Sequence, residues 1–450
     1  MPLVHLALLA LVVAMLIGLI GWPRWHSFFA ILAASALFGL ATGQSISLIG
    51  KAFGTGFANT FESAGLVIIA GAVVLAVAKD TGAGARLSTI AAAWRRRWPS
   101  SAPSLALLGL VGGLAATPIA AFAILTPLRR CLEGSSRRWN AGAAVALALA
   151  ITAGHGLLPP APGPMAAAAI LGADPARLAL VGLPAAITAV LAGGIFLRAC
   201  YSLLPDGEEA PVPAAAVDES PRWEIRRGTL ALIVATSAML VLLIVQSLGE
   251  IASEPFGIGP TRELLLGVGR PGVLLFVGIG LALLLTGRWG AATLSERGLA
   301  GRAVAGVAGI ILTIGAAGGL QALTQETGMA ALLAEPLLDW RAGLLVPFAV
   351  AAVVKTAQGS SLVAAITAAG MVQPALVALG LDGATGRALA AAAVGLGAMT
   401  ASHVNDPFFW LAANAARLPP GRGLLLISLG TIVQGLTGLA VLAAIGTLLP

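Results

Sequence analysis

From Leu3 to Leu448 the chain is a succession of apolar stretches, each roughly twenty residues long, joined by short segments that carry most of its arginines. That pattern constrains the fold more than any other feature. Only 10% of residues are charged and 58% are hydrophobic, whereas a soluble domain carries about 25% charged residues. Mean hydropathy is +0.96. The sequence therefore predicts an all-α polytopic membrane protein, and the length allows roughly ten to twelve spans. The net charge of +7 does not point to nucleic acid, because the basic residues sit in short loops, as positive-inside topology requires. Cys131 and Cys200 lie beside such loops and are expected as free thiols. No Lys or Arg precedes the first apolar run, so Leu3–Ile20 is expected to be a retained span, followed by Ser27–Gly43.

Several runs are interrupted by residues that cannot continue a helix in lipid. The most informative is Thr400-Ala401-Ser402-His403-Val404-Asn405-Asp406-Pro407. Pro407 lacks an N–H and disfavours helical geometry at Asp406. Ionisable groups at membrane depth normally face a cavity or a substrate path. The segment reads as a discontinuous helix with a binding site at its break; a polar loop between two ordinary spans is the alternative. A second break is expected over Gly154-His155-Gly156-Leu157-Leu158-Pro159-Pro160-Ala161-Pro162-Gly163-Pro164. Re-entrant hairpins are expected near residues 102–128, with the tip at Thr117-Pro118, and near 344–371, with the tip at Gln358-Gly359-Ser360-Ser361. The first is inferred from arginine-rich loops on both of its sides.

These features recur. Asp80-Thr81-Gly82 and Glu326-Thr327-Gly328, His155 and His403, and the two hairpin tips are each separated by about 245 positions. The loop after Asp80-Thr81-Gly82 is strongly basic, with Arg86 and Arg95–Arg97, whereas that after Glu326-Thr327-Gly328 has Glu335, Asp339 and a single Arg341. Corresponding loops then lie on opposite sides of the membrane. The reading is two inverted repeats, residues 1–203 and 228–450, each with about five spans, one hairpin and one broken helix, and a cytoplasmic linker over 204–227. Both chain ends fall outside, and a site lies at the midplane between the halves.

Taken together, the motifs resemble the gluconate permease family. Gly154–Pro164 is similar to its His-x-x-x-Pro-Pro-His-Pro-Gly-Pro segment, Gln358–Met371 to its second hairpin, and Ser402-His403-Val404-Asn405-Asp406 with Phe409-Trp410 to its Ser-His-Val-Asn-Asp segment. The resemblance runs from about Gly54 to Trp410. It implies a proton-coupled symporter for gluconate or a similar small hydroxy-carboxylate in the bacterial inner membrane, with the ion-transporter type of fold, dimers and an elevator motion. Two departures stand in the site segments: Ala161 replaces the family's second histidine, and Pro407-Phe408 replaces small residues.

The chemistry fits such a substrate. A carboxylate suits the N-terminal ends of half-helices, where free N–H groups and the helix dipole favour anions. Thr117, Ser360 and Ser361 can donate to its oxygens, Asn405 can serve polyol groups, and Gly359 lets the backbone approach. Gln358, His155, Ser402 and His403 complete the candidate substrate set. The serines and Thr117 can equally bond back to their own helices. His403 and Asp406 form the candidate proton-coupling pair, with Asp406 neutralised by His403 or by a proton; a structural His–Asp pair is the alternative. Lys355 either attracts the anion or snorkels to the interface. Asp80 and Glu326 are expected in capping or domain contacts. No metal or other cofactor is expected. A sodium-coupled carboxylate carrier, a channel and an intramembrane hydrolase are the competing functions; the last lacks His-Glu-x-x-His and Gly-x-Ser-x-Gly.

Overall fold

In a computed structural model the described residues are 2–21, 24–97, 102–134, 136–207, 221–251 and 254–448. Among the described residues the elements are all helices. Six helices among the described residues are long and apolar enough to cross a membrane, and the bent pair Pro260–Val268 and Pro271–Thr286, at 58°, makes a seventh if it acts as one span. Five shorter apolar helices accompany them. Two of these cover most of the expected first and second spans; the rest are the hairpin and broken-helix segments of the C-terminal half.

In chain order, α1 is Pro2–Gly21, α2 Ser27–Ala41 and α3 Ile46–Thr60. The glycine-rich segment around Gly54 is thus helical. It runs through a π turn at Phe61–Gly65 into α4, Leu66–Asp80, so Ile46–Asp80 forms one long apolar helix. Then follow α5 (Ala83–Arg97), α6 (Ala102–Gly112), α7 (Pro118–Cys131), α8 (Arg137–Leu157), α9 (Pro162–Leu171) and α10 (Pro175–Ala199). The arginines after Gly82 therefore sit on a helix, α5, rather than in a loop.

The C-terminal half has α11 (Arg222–Gly249), α12 (Pro260–Val268), α13 (Pro271–Thr286), α14 (Leu299–Glu326), α15 (Leu345–Gln358), α16 (Ser361–Val372), α17 (Ala384–Met399), α18 (Pro407–Ala415) and α19 (Leu429–Leu448). The expected linker ends sooner than its charges suggested. Arg222, Arg226 and Arg227 form the first turns of α11, and residues 208–220 lie outside the described residues. The short helix α12 was not foreseen.

Each interruption in the apolar pattern is a break in the structure. Gly113–Thr117 separates α6 from α7, Gly359-Ser360 separates α15 from α16, Leu158–Ala161 separates α8 from α9, and Thr400–Asp406 separates α17 from α18. In the most apolar eighteen-residue window of the broken helix Arg137–Leu171, 89% is buried, against 39–56% in those of the other long spans, so it is the central one of these. α8 and α17 cross beside their breaks at Gly156 and Gly395, where a Cβ on Gly395 would collide with the Gly156 carbonyl oxygen. Backbone contact that close is the small-residue packing that membrane helices use.

Charged residues at helix ends knit the outer elements. Arg288, after α13, pairs with Asp80 at 2.7 Å and with Glu224 on α11. Asp80 thus makes the inter-helix contact expected of it. Cys131 and Cys200 are free thiols.

Candidate functional site

A cavity of about 200 Å³ lies where the breaks meet. Its wall includes Thr117, His155, Gly359, Ser360, Ser361, Ser402 and Asp406 from the expected set. Thr60 at the end of α3, Ser63 of the π turn that follows it, Thr152 of α8 and Gln321 of α14 add polar groups that the sequence pattern did not single out. A π turn beside a cavity is a recurrent functional signature. A wider groove bordered by Arg177, Leu345 and Gly446 holds none of the break residues, so the smaller cavity is the candidate site.

Two half-helices begin at this cavity. α7 starts at Pro118 with Thr117 as its N-cap, but the Thr117 side chain makes no capping bond, and its buried hydroxyl has no partner. α16 starts at Ser361; Ser360 caps it by accepting from the Val363 N–H at 3.3 Å. The first N–H groups of a helix have no intrahelical acceptor. Those of Ile119 and Ala120, and of Ser361 and Leu362, are therefore available where the helix dipoles are positive. A third N-terminus, that of α18, is capped by Asp406, whose Oδ1 accepts from Phe408 N–H at 2.9 Å.

The helix before the Gly359-Ser360 break, α15, ends in carbonyls that need donors, and residues of the Thr400–Asp406 break supply them. His403 Nε2 donates to the Thr356 carbonyl at 2.8 Å, and Asn405 Nδ2 to the same oxygen at 2.9 Å. In the first half His155 is buried on the cavity wall, and its Nδ1 has no hydrogen-bond partner. Neither His403, Asn405 nor Gln358 lines the cavity; Nδ1 of His403, Oδ1 of Asn405 and Oε1 of Gln358 are buried without partners.

The largest difference from the sequence reading is Lys355. It neither snorkels nor reaches open solvent: its side chain is 1% exposed. Its Nζ donates to the Gly359 carbonyl at 2.6 Å and to Asp406 Oδ2 at 2.7 Å. Ser402 Oγ donates to the same Oδ2 at 2.5 Å. Asp406 is therefore neutralised by Lys355 rather than by His403. The signal that could have found this is a lysine in an apolar run, one turn before a glycine-containing tip, with one carboxylate in the other break.

The break is also fixed from behind. Ser402 N–H donates to Thr431 Oγ1 at 3.3 Å, Ser428 donates to the Ser402 carbonyl, and Trp410 Nε1 donates to the Val404 carbonyl at 2.8 Å. Of the two departures from the family pattern, Ala161 is fully buried at the start of α9 and outside the cavity wall. Pro407 and Phe408 do line it, with Phe408 edge-to-face on Phe122 at 5.9 Å. Among the described residues no group of three or more His, Cys, Asp or Glu is placed to hold a metal ion.

The chain was compared with known proteins. The model of the GntP family permeases matches residues 1–448. The L-idonate transporter of the Gnt-II system of Escherichia coli K12 is 29% identical over 456 aligned residues, covering 100% of both chains. The gluconate permease of Pseudomonas aeruginosa is 29% identical over 404 residues, covering 88% of this chain and 87% of the relative. A high-affinity gluconate transporter of E. coli K12 is 28% identical over 420 residues, with 91% of each covered.

Proposed function

The chain belongs to the GntP permease family, a family of transporters rather than enzymes, and from that premise we propose that it imports gluconate or a related small hydroxy-carboxylate by proton symport. The observation that carries this reading is the cavity with two half-helix N-termini and the hydroxyls of Thr117, Ser360 and Ser361 on its wall. Free N–H groups and the dipoles suit a carboxylate, and the hydroxyls with Thr60, Ser63 and Gln321 suit a polyol chain. Phe408 supplies an apolar stop at one side. The relatives named for idonate and gluconate agree with that substrate class.

The coupling ion in this reading is H⁺. Importing an anion against an inside-negative potential costs about 2.3 kcal/mol per charge per 100 mV, so a cation must accompany it. A sodium ion would need the oxygens of Gly359, Asp406 and their neighbours, and the Lys355 ammonium already occupies two of them. The duplicated order of hairpin and broken helix supports two inverted repeats and alternating access of elevator type, in a homodimer in the bacterial inner membrane.

Two measurements test this. Purified protein should be stabilised against heat by gluconate, since a ligand that binds only the folded state raises apparent stability. Thr117→Val and Ser361→Ala should each weaken gluconate binding about tenfold, as expected for hydrogen bonds to a charged group; normal binding in both places the substrate elsewhere. For topology, cysteines substituted at Arg96, Arg130, Arg227 and Arg297 should resist an impermeant reagent applied from outside, while one at Asp339 reacts. Labelling at 96 but not at 339 sinks the inverted arrangement.

A further inference from the structure

Four facts about the Lys355–Asp406 pair belong together. Lys355 is almost fully buried and lies behind Asp406, outside the cavity wall, while Asp406 lines the cavity. The ammonium is tied to the hairpin tip through Gly359 and to the broken helix through Asp406, so it is a fixed charge. Oδ2 of Asp406 is shared with the Ser402 hydroxyl, which can donate to a carboxylate or accept from a carboxylic acid. Finally, the N–H of Phe408 holds Oδ1 in place, so the carboxyl keeps its orientation in either protonation state.

Resting on the gluconate–proton reading above, we propose that Lys355 is a fixed internal counter-ion which makes the site carry one proton, on Asp406, for each substrate anion, so that transport is electroneutral. The argument is charge balance. Empty, the pair holds one ammonium and one carboxylate and is neutral. Loaded, it holds the ammonium, a protonated Asp406 and the substrate carboxylate, and is again neutral. The other two combinations carry a net charge: anion without proton leaves −1, proton without anion leaves +1. Moving a net charge through the low-dielectric interior is costly, so the neutral states cross and the charged ones do not. The proton comes from water on the outer side, sits on the Asp406 carboxyl, and leaves to water on the inner side with the anion. Binding of anion and proton favour each other by the same factor, as linkage requires.

The charged and titratable groups that face this carboxyl are Lys355 from α15, His403 from the same break and His155 from α8. His403 is engaged with the Thr356 carbonyl, and the Asp406 carboxyl is held by Lys355 and Ser402 rather than by either histidine. His403 does not border the cavity, whereas Asp406 does, which places the proton on Asp406.

The test uses the full chain in proteoliposomes with labelled gluconate. With equal pH on both sides, gluconate–gluconate exchange by the wild type reports the substrate alone. Uptake driven by an inward proton gradient should then be unchanged when a potassium–valinomycin potential of either sign is imposed. Binding to the wild type should weaken about tenfold per pH unit at high pH, the slope for one linked proton. Asp406→Asn mimics the protonated acid. It should bind gluconate with no pH dependence and retain exchange, while net proton-driven uptake falls by more than about tenfold. Should that variant not fold, Lys355→Gln/Asp406→Asn is neutral when empty but carries −1 when loaded, so it should bind gluconate without pH dependence and lose exchange. Uptake that follows the imposed potential, proton-driven uptake retained in Asp406→Asn, or wild-type exchange rates in the double variant each overturns the proposal while leaving the substrate reading intact. Absence of gluconate exchange in the wild type overturns the substrate reading, and the proposal with it.

Discussion

Lys355→Met should destabilise the protein by about 3–5 kcal/mol, the loss typical when one member of a buried ion pair is removed. The size follows from what is stranded. Asp406 is 8% exposed and would keep only the Ser402 hydroxyl and the Phe408 N–H. The Gly359 carbonyl would lose its donor as well. A methionine fills the volume of the lysine stem, so the loss reports charge and hydrogen bonding rather than a cavity. The companion variant is Lys355→Met/Asp406→Asn, which strands no charge. It should recover most of the loss, because replacing both partners of a buried pair is often nearly neutral. A double-mutant cycle on thermal or denaturant unfolding measures this. If the two single losses simply add in the double variant, the pair is not coupled and the electrostatic account of the site fails with it.

The breaks in the helices were legible because each is written in residues that cannot remain helical in lipid. Pro118 after Thr117, the proline run from Pro159 to Pro164, Gly359 with Ser360, and Asp406-Pro407 all fall where the structure interrupts a helix. The helices themselves were legible from their apolar runs. What escaped is of two kinds. Helical arginine-bearing segments such as α5 and the start of α11 carry the same composition as loops, so charge alone assigned them to loops. Side-chain pairing escaped because it depends on tertiary placement. Lys355 and Asp406 are 51 positions apart, and nothing local tells the lysine to turn inward rather than snorkel. The same limit applies to His403 and Asn405. Their residue types suited a polyol, but the nearest needy groups are the unpaired carbonyls ending α15, and they bond there instead.

The second large effect is expected at the Gly359-Ser360 break between α15 and α16. Gly359→Ala should remove gluconate binding and destabilise the protein by more than about 2 kcal/mol, summing a left-handed backbone penalty of about 1–2 kcal/mol with a steric clash. Gly359 has φ +77°, a conformation that favours glycine, and an added Cβ would collide with the Asn405 carbonyl oxygen. That collision cannot be relieved by a flexible side chain, because the obstacle is backbone. Moving Asn405 away would stretch its bond to the Thr356 carbonyl and drag Asp406 from Lys355. Moving Gly359 instead would tilt Ser360 and Ser361, which present the free N–H groups and hydroxyls of α16 to the cavity. Either way the anion site and the ion pair shift together. Gly370→Ala is the control: it lies on the same half-helix, and its Cβ would meet nothing within 4 Å. Alanine is the better helix former there by about 1 kcal/mol, so that variant should be as stable as the wild type or more so, and bind gluconate normally. Equal thermal stability and equal binding in the two alanine variants would mean that the tip is not held against the Asn405 backbone.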